Sequence, residues 1–280
     1  MIRSIFSAVD GSVSSLAGLR IATEWASRLD ARLLAAFVEE EQRFVTYTVS
    51  PMIDGSVYPI PLPPDKLAAE QQRVADERKS IQEAFDQITK GKVKDAHFSS
   101  IPGATNEVLI REARQADLVV IGKRGRFDPP LSRRAGPTTE SIIQNALRPV
   151  LVMPDRARTE GPALIAYDDS RGVQRVLPFA VDLAERLAWQ TIVVTVNDKA
   201  ENALAVQALV KPYLLTHRPN TKFVVEKGRA AEGILRIAER EKAGLIAMGA
   251  FGGNPIYELF FGSTTLSVLE RAECPVLLTA

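Results

Sequence analysis

Cysteine, histidine and a surplus of charge of either sign are nearly absent from this sequence. Cys274 is the single cysteine among 280 residues, which excludes an intrachain disulfide and a cluster of thiolate metal ligands. The two histidines, His97 and His217, have no sequence neighbours at the spacing of metal ligands. With 35 Lys and Arg against 34 Asp and Glu, the chain lacks the basic excess typical of nucleic-acid-binding proteins. We therefore expect neither a metal site nor a nucleic-acid partner.

Long apolar segments are missing as well. No run approaches the roughly 18 apolar residues that a membrane-spanning helix needs. The apolar start of the chain is broken by Ser7 and ended by Asp10, too early for a signal peptide. The composition, 46% hydrophobic and 25% charged, is that of an ordinary folded protein. We expect a cytoplasmic protein without membrane insertion or export.

The order of signals in the first half of the chain returns in the second half. The repeated segments are continuous apolar runs, which are typical of strands covered on both faces of a parallel sheet. Amphipathic stretches, with apolar residues at spacings of three and four, separate them and predict helices. Strands that alternate with helices indicate right-handed βαβ units. The matching segments are residues 5–10 with 164–168, 117–122 with 244–249, and 148–152 with 274–278.

This repeat predicts an α/β protein of two tandem, doubly wound, five-stranded parallel-sheet domains. The first domain covers residues 1–154 and the second residues 162–280, joined by a polar linker that ends in Gly161 and Pro162. Strands are expected near residues 2–9, 33–38, 93–98, 118–122 and 149–153, and near residues 163–167, 191–196, 222–226, 245–249 and 275–279.

The first domain carries an insertion, at about residues 41–63, that the second domain lacks. Its second half is rich in proline. Because proline lacks the N–H donor and fixes φ, we expect an irregular excursion there. A charged amphipathic helix over residues 64–89 should follow. The insertion is either a surface loop or a contact for a protein partner or a second copy of the chain.

Glycines and hydroxyl residues follow the strand ends of the second domain. Ligands of open α/β sheets bind outside the carboxyl ends of the strands, where the strand order reverses. The sequence places Gly249 and Gly252 after the fourth strand, and Gly262, Ser263 and Thr264 at the start of the last helix. Glycines admit close backbone approach, and hydroxyls beside the free N–H groups of a helix start favour anions. The pattern predicts an anion site.

The spacing Gly249-x2-Gly252-x9-Gly262-Ser263, placed after a buried strand, resembles the nucleotide-binding motif of the universal stress protein family. The resemblance extends over almost the whole chain, twice, with the insertion as the main exception. It implies the adenine nucleotide alpha hydrolase-like fold and a bound adenine nucleotide: ATP, ADP or AMP, with or without Mg²⁺. We expect the chain to bind this nucleotide as a stress-response regulator or sensor.

The resemblance also implies roles for particular residues of the second domain. Asp168 would contact the adenosine moiety, although it could also cap the helix that follows. Val196 would meet the adenine, and Met248 belongs to the same site. The loop that wraps ribose and phosphates consists of Gly249, Gly252, Gly262, Ser263 and Thr264. Ala250 and Phe251 stand where polar or basic residues are common in the family, so that the backbone would meet most of the phosphate charge. The glycine loop could instead be a turn without a ligand.

The first domain shows a degenerate form of the same motif. Ten residues, not nine, separate Gly125 from Gly136, and Pro137 replaces the serine, which removes both an N–H group and a hydroxyl. The corresponding residues of this weaker site are Asp10, Val38, Gly122, Gly125 and Gly136. Its loop is rich in cations, which either attract an anion or acidic protein partner or are simply solvated. These are Lys123, Arg124, Arg126, Arg133 and Arg134.

Three functions are compatible with the sequence. The first is nucleotide binding that changes conformation or partner choice, with hydrolysis slow or absent. The second is an interaction module in which both glycine loops are remnants. The third, ATP hydrolysis or adenylyl transfer, needs catalytic groups that the sequence does not display. Family members pair their last strands antiparallel, so residues 149–153 and 275–279 are expected to pair within the chain as a pseudo-dimer, which could dimerise again.

Overall fold

A computed structural model describes residues 2–40, 45–49, 57–129, 134–218, 220–251 and 262–279, with the backbone alone for 45–49 and 57–59. Strands and helices alternate along most of the chain, as the repeat predicts. The first half contains β1 (Ser4–Ala8), α1 (Val13–Leu29), β2 (Arg32–Glu40), β3 (Val45–Val49), β4 (Val57–Pro61), α2 (Pro64–Thr89), β5 (Ala96–Gly103), α3 (Thr105–Ala113), β6 (Leu118–Gly122), α4 (Pro137–Asn145) and β7 (Val150–Met153). The second half contains β8 (Ala163–Ala166), α5 (Arg171–Arg186), β9 (Thr191–Val196), α6 (Ala200–His217), β10 (Lys222–Glu226), α7 (Ala230–Arg240), β11 (Leu245–Gly249), α8 (Ser263–Arg271) and β12 (Val276–Thr279).

The ten core strands form one continuous sheet in the order β10-β9-β8-β11-β12-β7-β6-β1-β2-β5. Each half repeats the same doubly wound order, with its third and fifth strands outermost, and is parallel throughout. The halves meet where β12 pairs antiparallel with β7, and Leu277 lies opposite Leu151 in that register. The fold class is therefore confirmed, and the antiparallel pairing of the last strands occurs within the chain. Pairing them covers two sheet edges that would otherwise expose unpaired backbone groups.

Helices cover both faces of the sheet, because successive strand residues point to opposite faces. On one face α1, α2, α5 and α6 bury an apolar core that includes Ile5 and Leu118 of the sheet. On the other face α3, α4, α7 and α8 pack against the next residues along the same strands, Phe6 and Val119. This two-sided burial explains why these strands are continuous apolar runs. No described helix is long and apolar enough to span a membrane.

Two tryptophans join the halves on the first of these faces. The indole rings of Trp25, in α1, and Trp189, after α5, meet edge to face with their centroids 5.8 Å apart. Beside them, Arg28 Nη2 donates to the carbonyl oxygen of Leu187 at 2.5 Å. Trp25 is fully buried. The two halves are thus held together by a packed interface as well as by the β7–β12 ladder.

The insertion differs from the irregular excursion that its prolines predict. Residues Val45–Val49 pair antiparallel with Val57–Pro61 as a two-stranded sheet separate from the main one. Both strands of a two-stranded ribbon are edge strands, and edge strands are where sheets tolerate proline, so Pro59 and Pro61 are compatible with this pairing. Residues 41–44 and 50–56 of the insertion lie outside the described residues. The following helix, Pro64–Thr89, has the predicted bounds.

The third strand of the first half also lies further along the chain than predicted. It runs over Ala96–Gly103, whereas the sequence pattern suggests residues 93–98. The backbone N–H groups of Lys92 and Val93 both bond to the carbonyl oxygen of Thr89, so these residues form the turn that ends α2. An apolar valine in a helix-terminal turn is indistinguishable by pattern from the first residue of a strand.

Candidate functional site

The carboxyl ends of β8, β9 and β11 and the start of α8 surround a cavity of about 180 Å³ in the second half. It lies where the strand order reverses, since β9 and β11 flank β8 on opposite sides. Seven of the eight residues predicted for this site line the cavity; Gly252 lies outside the described residues. The seven are Asp168, Val196, Met248, Gly249, Gly262, Ser263 and Thr264.

Asp168 occupies the end of β8 with its side chain exposed. Its Oδ1 accepts a hydrogen bond from the backbone N–H of Ser170 at 3.0 Å. Ser170, not Asp168, is the N-cap of α5, because its Oγ accepts from the backbone N–H of Val173. Within the described part of the chain, Asp168 accepts this one hydrogen bond. It therefore shapes the turn and keeps acceptor capacity that can point towards a ligand.

Gly249 serves the packing of the strand against a helix. A Cβ placed on Gly249 would lie 3.0 Å from the backbone nitrogen of Val173 and 3.1 Å from Cα of Gly172. A Cβ on Gly172 would in turn lie 2.9 Å from Cα of Gly249. The first glycine of the motif thus lets α5 approach β11, a packing role that the sequence did not indicate, and it also lines the cavity.

The start of α8 presents a helix N-terminus to the cavity. Its N-cap, Gly262, has extended backbone angles and no side-chain capping bond. Ser263 is exposed and Thr264 is half-buried, whereas Thr265 is buried and donates its hydroxyl hydrogen to the carbonyl oxygen of Gly249 at 3.2 Å. The bond from Thr265 ties the helix start to the strand. This arrangement leaves the first turn of α8 suited to an anion.

The sequence pattern missed part of the cavity wall. Tyr167 precedes Asp168 and its hydroxyl donates to Asp169 Oδ1 at 2.8 Å. Burial, reinforced by the hydrogen bond to Asp169, raises the pKa of Tyr167 far above its usual range, so this phenol stays neutral. Ala230 and Ile234 enter the wall from the start of α7. Ala230 and Ile234 could have been found from the sequence order: α7 follows the third strand, so its start lies at the same edge of the sheet.

The first half contains a second cavity at the equivalent edge, with a volume of about 230 Å³. Of the five residues predicted for the weaker site, Asp10, Val38, Gly122 and Gly125 line it. Gly136 is not among its lining residues, because the carboxylate of Asp128 fills the space beside it: a Cβ on Gly136 would lie 2.0 Å from Asp128 Oδ2. Asp128 itself lines the cavity and was not foreseen from the sequence.

Equivalent hydrogen bonds attach the ends of the two glycine loops to the sheet. The residue after the strand glycine donates its N–H to the last strand in each half, Lys123 to Met153 at 2.7 Å and Ala250 to Thr279 at 2.9 Å. A threonine in the first turn of the following helix then bonds back to the strand glycine, as Thr139 does to the carbonyl oxygen of Gly122 at 2.8 Å. The described ends of the two loops are therefore tied to the sheet by the same bonds.

In the first half, the chain's own carboxylates occupy loop N–H groups that a ligand would need. The N–H of Gly125 donates to Asp128 Oδ2 at 2.7 Å, and the N–H of Arg126 donates to Asp10 Oδ2 at 2.7 Å. Asp10 Oδ1 also accepts from the N–H of Ser12 at 2.9 Å. The loss of donors that Pro137 predicts thus has a second cause, which the sequence motif did not indicate.

The cations of the first loop have partners within the protein. Lys123 Nζ donates to the carbonyl oxygen of Glu270 at 2.8 Å, and Arg124 forms an ion pair with Asp155. Arg126 lies 3.5 Å from Glu77 Oε1. Arg133 lies outside the described residues. The sequence suggested that this positive charge could attract an anion. These contacts offset much of that charge.

The two histidines and the cysteine contact other parts of the protein or are buried. His97 Nε2 lies 2.6 Å from Asp95 Oδ1, and the ring of His217 packs on Tyr213. Cys274 is buried, and burial raises the pKa of its thiol to about 12. Within the described ranges, no three His, Cys, Asp or Glu side chains form a group that could hold a metal ion.

Known proteins with similar sequences are universal stress proteins. The sequence model described as "Universal stress protein family" matches residues 1–154 and 199–280. Universal stress protein Slr1230 from Synechocystis sp. is 32% identical over 163 residues, which are 58% of this chain and 57% of that protein, so the match spans little more than half of that relative. The universal stress protein in the QAH/OAS sulfhydrylase 3' region of Thermus aquaticus is 33% identical over 130 residues, 41% of this chain and 95% of that protein.

The fold has a counterpart among solved structures. A universal stress protein from Archaeoglobus fulgidus aligns with 99% of this chain and 97% of its own, with a TM-score of 0.75 and 16% sequence identity. At that identity the likeness shows the fold alone. Together with the family match over both halves, the duplicated sheet and the glycine-loop spacing establish that this chain belongs to the universal stress protein family.

Proposed function

We propose that the chain binds an adenine nucleotide in the cavity of its second half and acts as a nucleotide-responsive regulator in a stress response. The observation that carries this proposal is the start of α8. There an N-terminus without a side-chain cap, flanked by Ser263 and Thr264, meets the strand-end residues Asp168 and Val196 in one cavity. Anionic and apolar parts of a ligand can thus be bound side by side.

The phosphate end of the ligand fits the first turn of α8. Unpaired backbone N–H groups and the helix dipole attract anions at this position. The exposed hydroxyl of Ser263 adds a donor that can rotate towards a phosphate oxygen.

The base end fits the wall opposite α8. Val196, Ile234 and Met248 offer apolar surface for one face of a heteroaromatic ring. Asp168 stands at the rim with acceptor capacity, which suits the hydroxyl groups of a ribose. Most ligand pockets combine an apolar wall with a few placed polar groups in this manner.

The charge of the cavity favours a nucleotide with few phosphates. Its described lining contains no Lys or Arg. A helix N-terminus alone stabilises an anion by about 0.3–1 kcal/mol when exposed, so each further phosphate gains little without cations. We therefore expect AMP or ADP to bind at least as tightly as ATP in the absence of Mg²⁺. A divalent ion carried by ATP would reduce this difference.

Binding, and not turnover, is the proposed activity. The described lining of the cavity holds Asp168 and Tyr167 as its titratable side chains. The neutral phenol of Tyr167 donates to Asp169, and in the proposed binding mode the carboxylate of Asp168 meets the ribose while the phosphates lie at α8, so neither is placed as a general base for water. We expect slow hydrolysis or none.

The test is to identify nucleotide released from the denatured protein and then to titrate AMP, ADP and ATP calorimetrically. Removing the hydroxyl of Ser263 with Ser263→Ala should weaken AMP binding by about tenfold, the value of one hydrogen bond to a charged group. Ser267→Ala, one turn further along α8 and outside the cavity lining, is the matched control and should bind as the wild type does. Gly262→Asp, which places a carboxylate where the phosphate would lie, should abolish binding.

A second function, an interaction module without a ligand, is favoured by one observation: no cation lines the described part of the cavity. Absence of released nucleotide together with absence of heat on titration would support this second function and refute the first. A cytoplasmic location, a homodimer and a partner-binding role for the insertion stay predictions.

A further inference from the structure

We propose that the cavity of the first half is a second binding site, and that it takes a phosphate-free heteroaromatic ligand the size of a nucleobase or nucleoside. In this half the carboxylate of Asp128 permanently occupies the place of an anion. The first half would then differ from the second in ligand chemistry and would not be merely an inactive copy of it. The proposal concerns other residues than the nucleotide site and does not depend on it.

The position of Asp128 carries the proposal. Its Oδ2 accepts from the N–H of Gly125 at 2.7 Å and lies against Cα of Gly136, where a Cβ would approach within 2.0 Å. Gly136 is the N-cap of α4 and has no side-chain capping bond. One carboxylate oxygen thus contacts both the glycine loop and the start of the helix. These are the two features that would otherwise cradle a phosphate.

The motif of the second half has no carboxylate at the corresponding position of the sequence. Asp128 stands three residues after Gly125, and the residue three positions after Gly252 is Pro255. The described ends of the two loops are tied to the sheet by equivalent backbone bonds, so we take the residue at this position as the chemical difference between the two motifs.

The charge of the first cavity also disfavours a phosphate. Its lining contains the carboxylates of Asp10, Glu40, Glu77 and Asp128. Two guanidinium groups oppose them, and both already face carboxylates: Arg124 pairs with Asp155, and Arg126 lies 3.5 Å from Glu77. A phosphate here would meet like charges at short range, and each described cation of the lining already faces a carboxylate, which makes phosphate costly in a partly buried site.

The rest of the wall suits a neutral ring. Val38 lies near the end of β2, and Ala8, Ile121 and Leu109 add apolar surface from β1, β6 and α3. The hydroxyl of Thr105, which donates to Glu40, stands with that carboxylate at the rim. Carboxylates and hydroxyls around an apolar slot can accept hydrogen bonds from the amino groups of a heteroaromatic ring.

The methyl groups of Val38 and Val196 report on the two cavities separately, so NMR of methyl-labelled protein can follow both sites in one titration. In the wild type we expect adenosine to shift the Val38 resonances, and AMP and ATP to bind there at least about tenfold more weakly because of charge repulsion. In Asp128→Asn, which keeps the size of the side chain, the preference for adenosine over AMP at Val38 should fall by about tenfold. Glu140→Gln, an equal change of charge in the first turn of α4 outside the cavity lining, should leave the preference unchanged.

Three results would overturn the proposal: no effect of adenosine on Val38 at millimolar concentration, binding of ATP there as tight as that of adenosine, or an unchanged preference in Asp128→Asn. If Asp128→Asn does not fold, the wild-type series of adenosine, AMP and ATP still decides. The Val196 resonances test the proposed nucleotide site independently, so failure at one cavity is distinguishable from failure at the other.

Discussion

Replacing Gly233 with alanine should distort the proposed nucleotide cavity by displacing Val196, a residue of its wall. Gly233 lies in α7, and a Cβ there would come within 2.8 Å of both γ-carbons of Val196 and 3.2 Å of Cγ of Glu226. A valine side chain has a single rotatable bond and cannot retreat without turning its methyl groups. Val196 lines the cavity at the proposed adenine wall. We therefore expect Gly233→Ala to push Val196 into the space of the ligand.

The magnitude follows from two opposing terms. Alanine in place of glycine within a helix stabilises it by about 1 kcal/mol. Overpacking a filled site costs about 1–3 kcal/mol. The net change in the free energy of unfolding should therefore lie between about 0 and 2 kcal/mol of destabilisation. The affinity for AMP should fall by about tenfold, the equivalent of roughly 1.4 kcal/mol.

Urea unfolding and calorimetric titration measure these two quantities. Gly18→Ala is the control, because it makes the same exchange within α1, where a Cβ meets Val120 at the milder distance of 3.2 Å and is remote from the second cavity. The double variant Gly233→Ala with Val196→Ala should recover stability relative to the sum of the single changes, since the clashing methyl groups are gone. The reasoning would be refuted if Gly233→Ala bound AMP as tightly as the wild type does and its free energy of unfolding rose by the full gain of about 1 kcal/mol from helix propensity.

Other side chains give independent expectations. Trp25→Ala, at a fully buried residue of the interface between the halves, should lower the free energy of unfolding by about 3–5 kcal/mol in urea titrations, and a loss below about 1 kcal/mol would contradict the packing described. The hydrogen bond from Lys222 at 2.7 Å lowers the pKa of Glu241. The stabilisation that the Glu241 carboxylate contributes is therefore present above its unfolded-state pKa and is lost as the pH falls through its folded-state pKa. In Glu241→Gln the decline in stability at acid pH should be shallower, and thermal melts from pH 7 to pH 3 that superimpose on those of the wild type would argue against this. Because burial raises the pKa of Cys274 to about 12, its thiol should not react with a disulfide reagent at pH 8 until the protein unfolds, and rapid reaction of the native protein would disprove its burial.

Most of the fold could be predicted because its signals are local. Strands buried on both faces must be apolar throughout, so β6 and β11 appear in the sequence as uninterrupted runs before the paired landmarks Gly122 and Gly249. The duplication then strengthened these assignments, since every strand of the main sheet has a counterpart in the other half. The hairpin β3–β4 was missed because proline content argues against a helix or a central strand but not against an isolated two-stranded ribbon.

The candidate sites were predicted only in part. Residues directly after strands, such as Asp168 and Val196, were found because the carboxyl ends of parallel strands meet at one edge. Tyr167 was missed although it directly follows β8, and Ile234 was missed because it lies in the second turn of α7, beyond the residues at the strand ends. The role of Gly249 at the ligand stays a prediction, because this glycine both lines the cavity and makes room for α5, and the two requirements look the same in sequence.

The sequence by itself determined the α/β class, the duplication, the family motif and the replacement of its serine by Pro137 in the first glycine loop, because each depends on residue types at short spacing. The tertiary structure alone decided that β7 and β12 join the halves into one sheet, that Trp25 meets Trp189, and that Asp128 folds back onto Gly125 and Gly136. The first two contacts depend on the distance between segments that are remote in the chain. The contact of Asp128 depends on the direction of its side chain within one loop. A pattern of residue types carries no information on either, so the chemical difference between the two cavities became visible only in three dimensions.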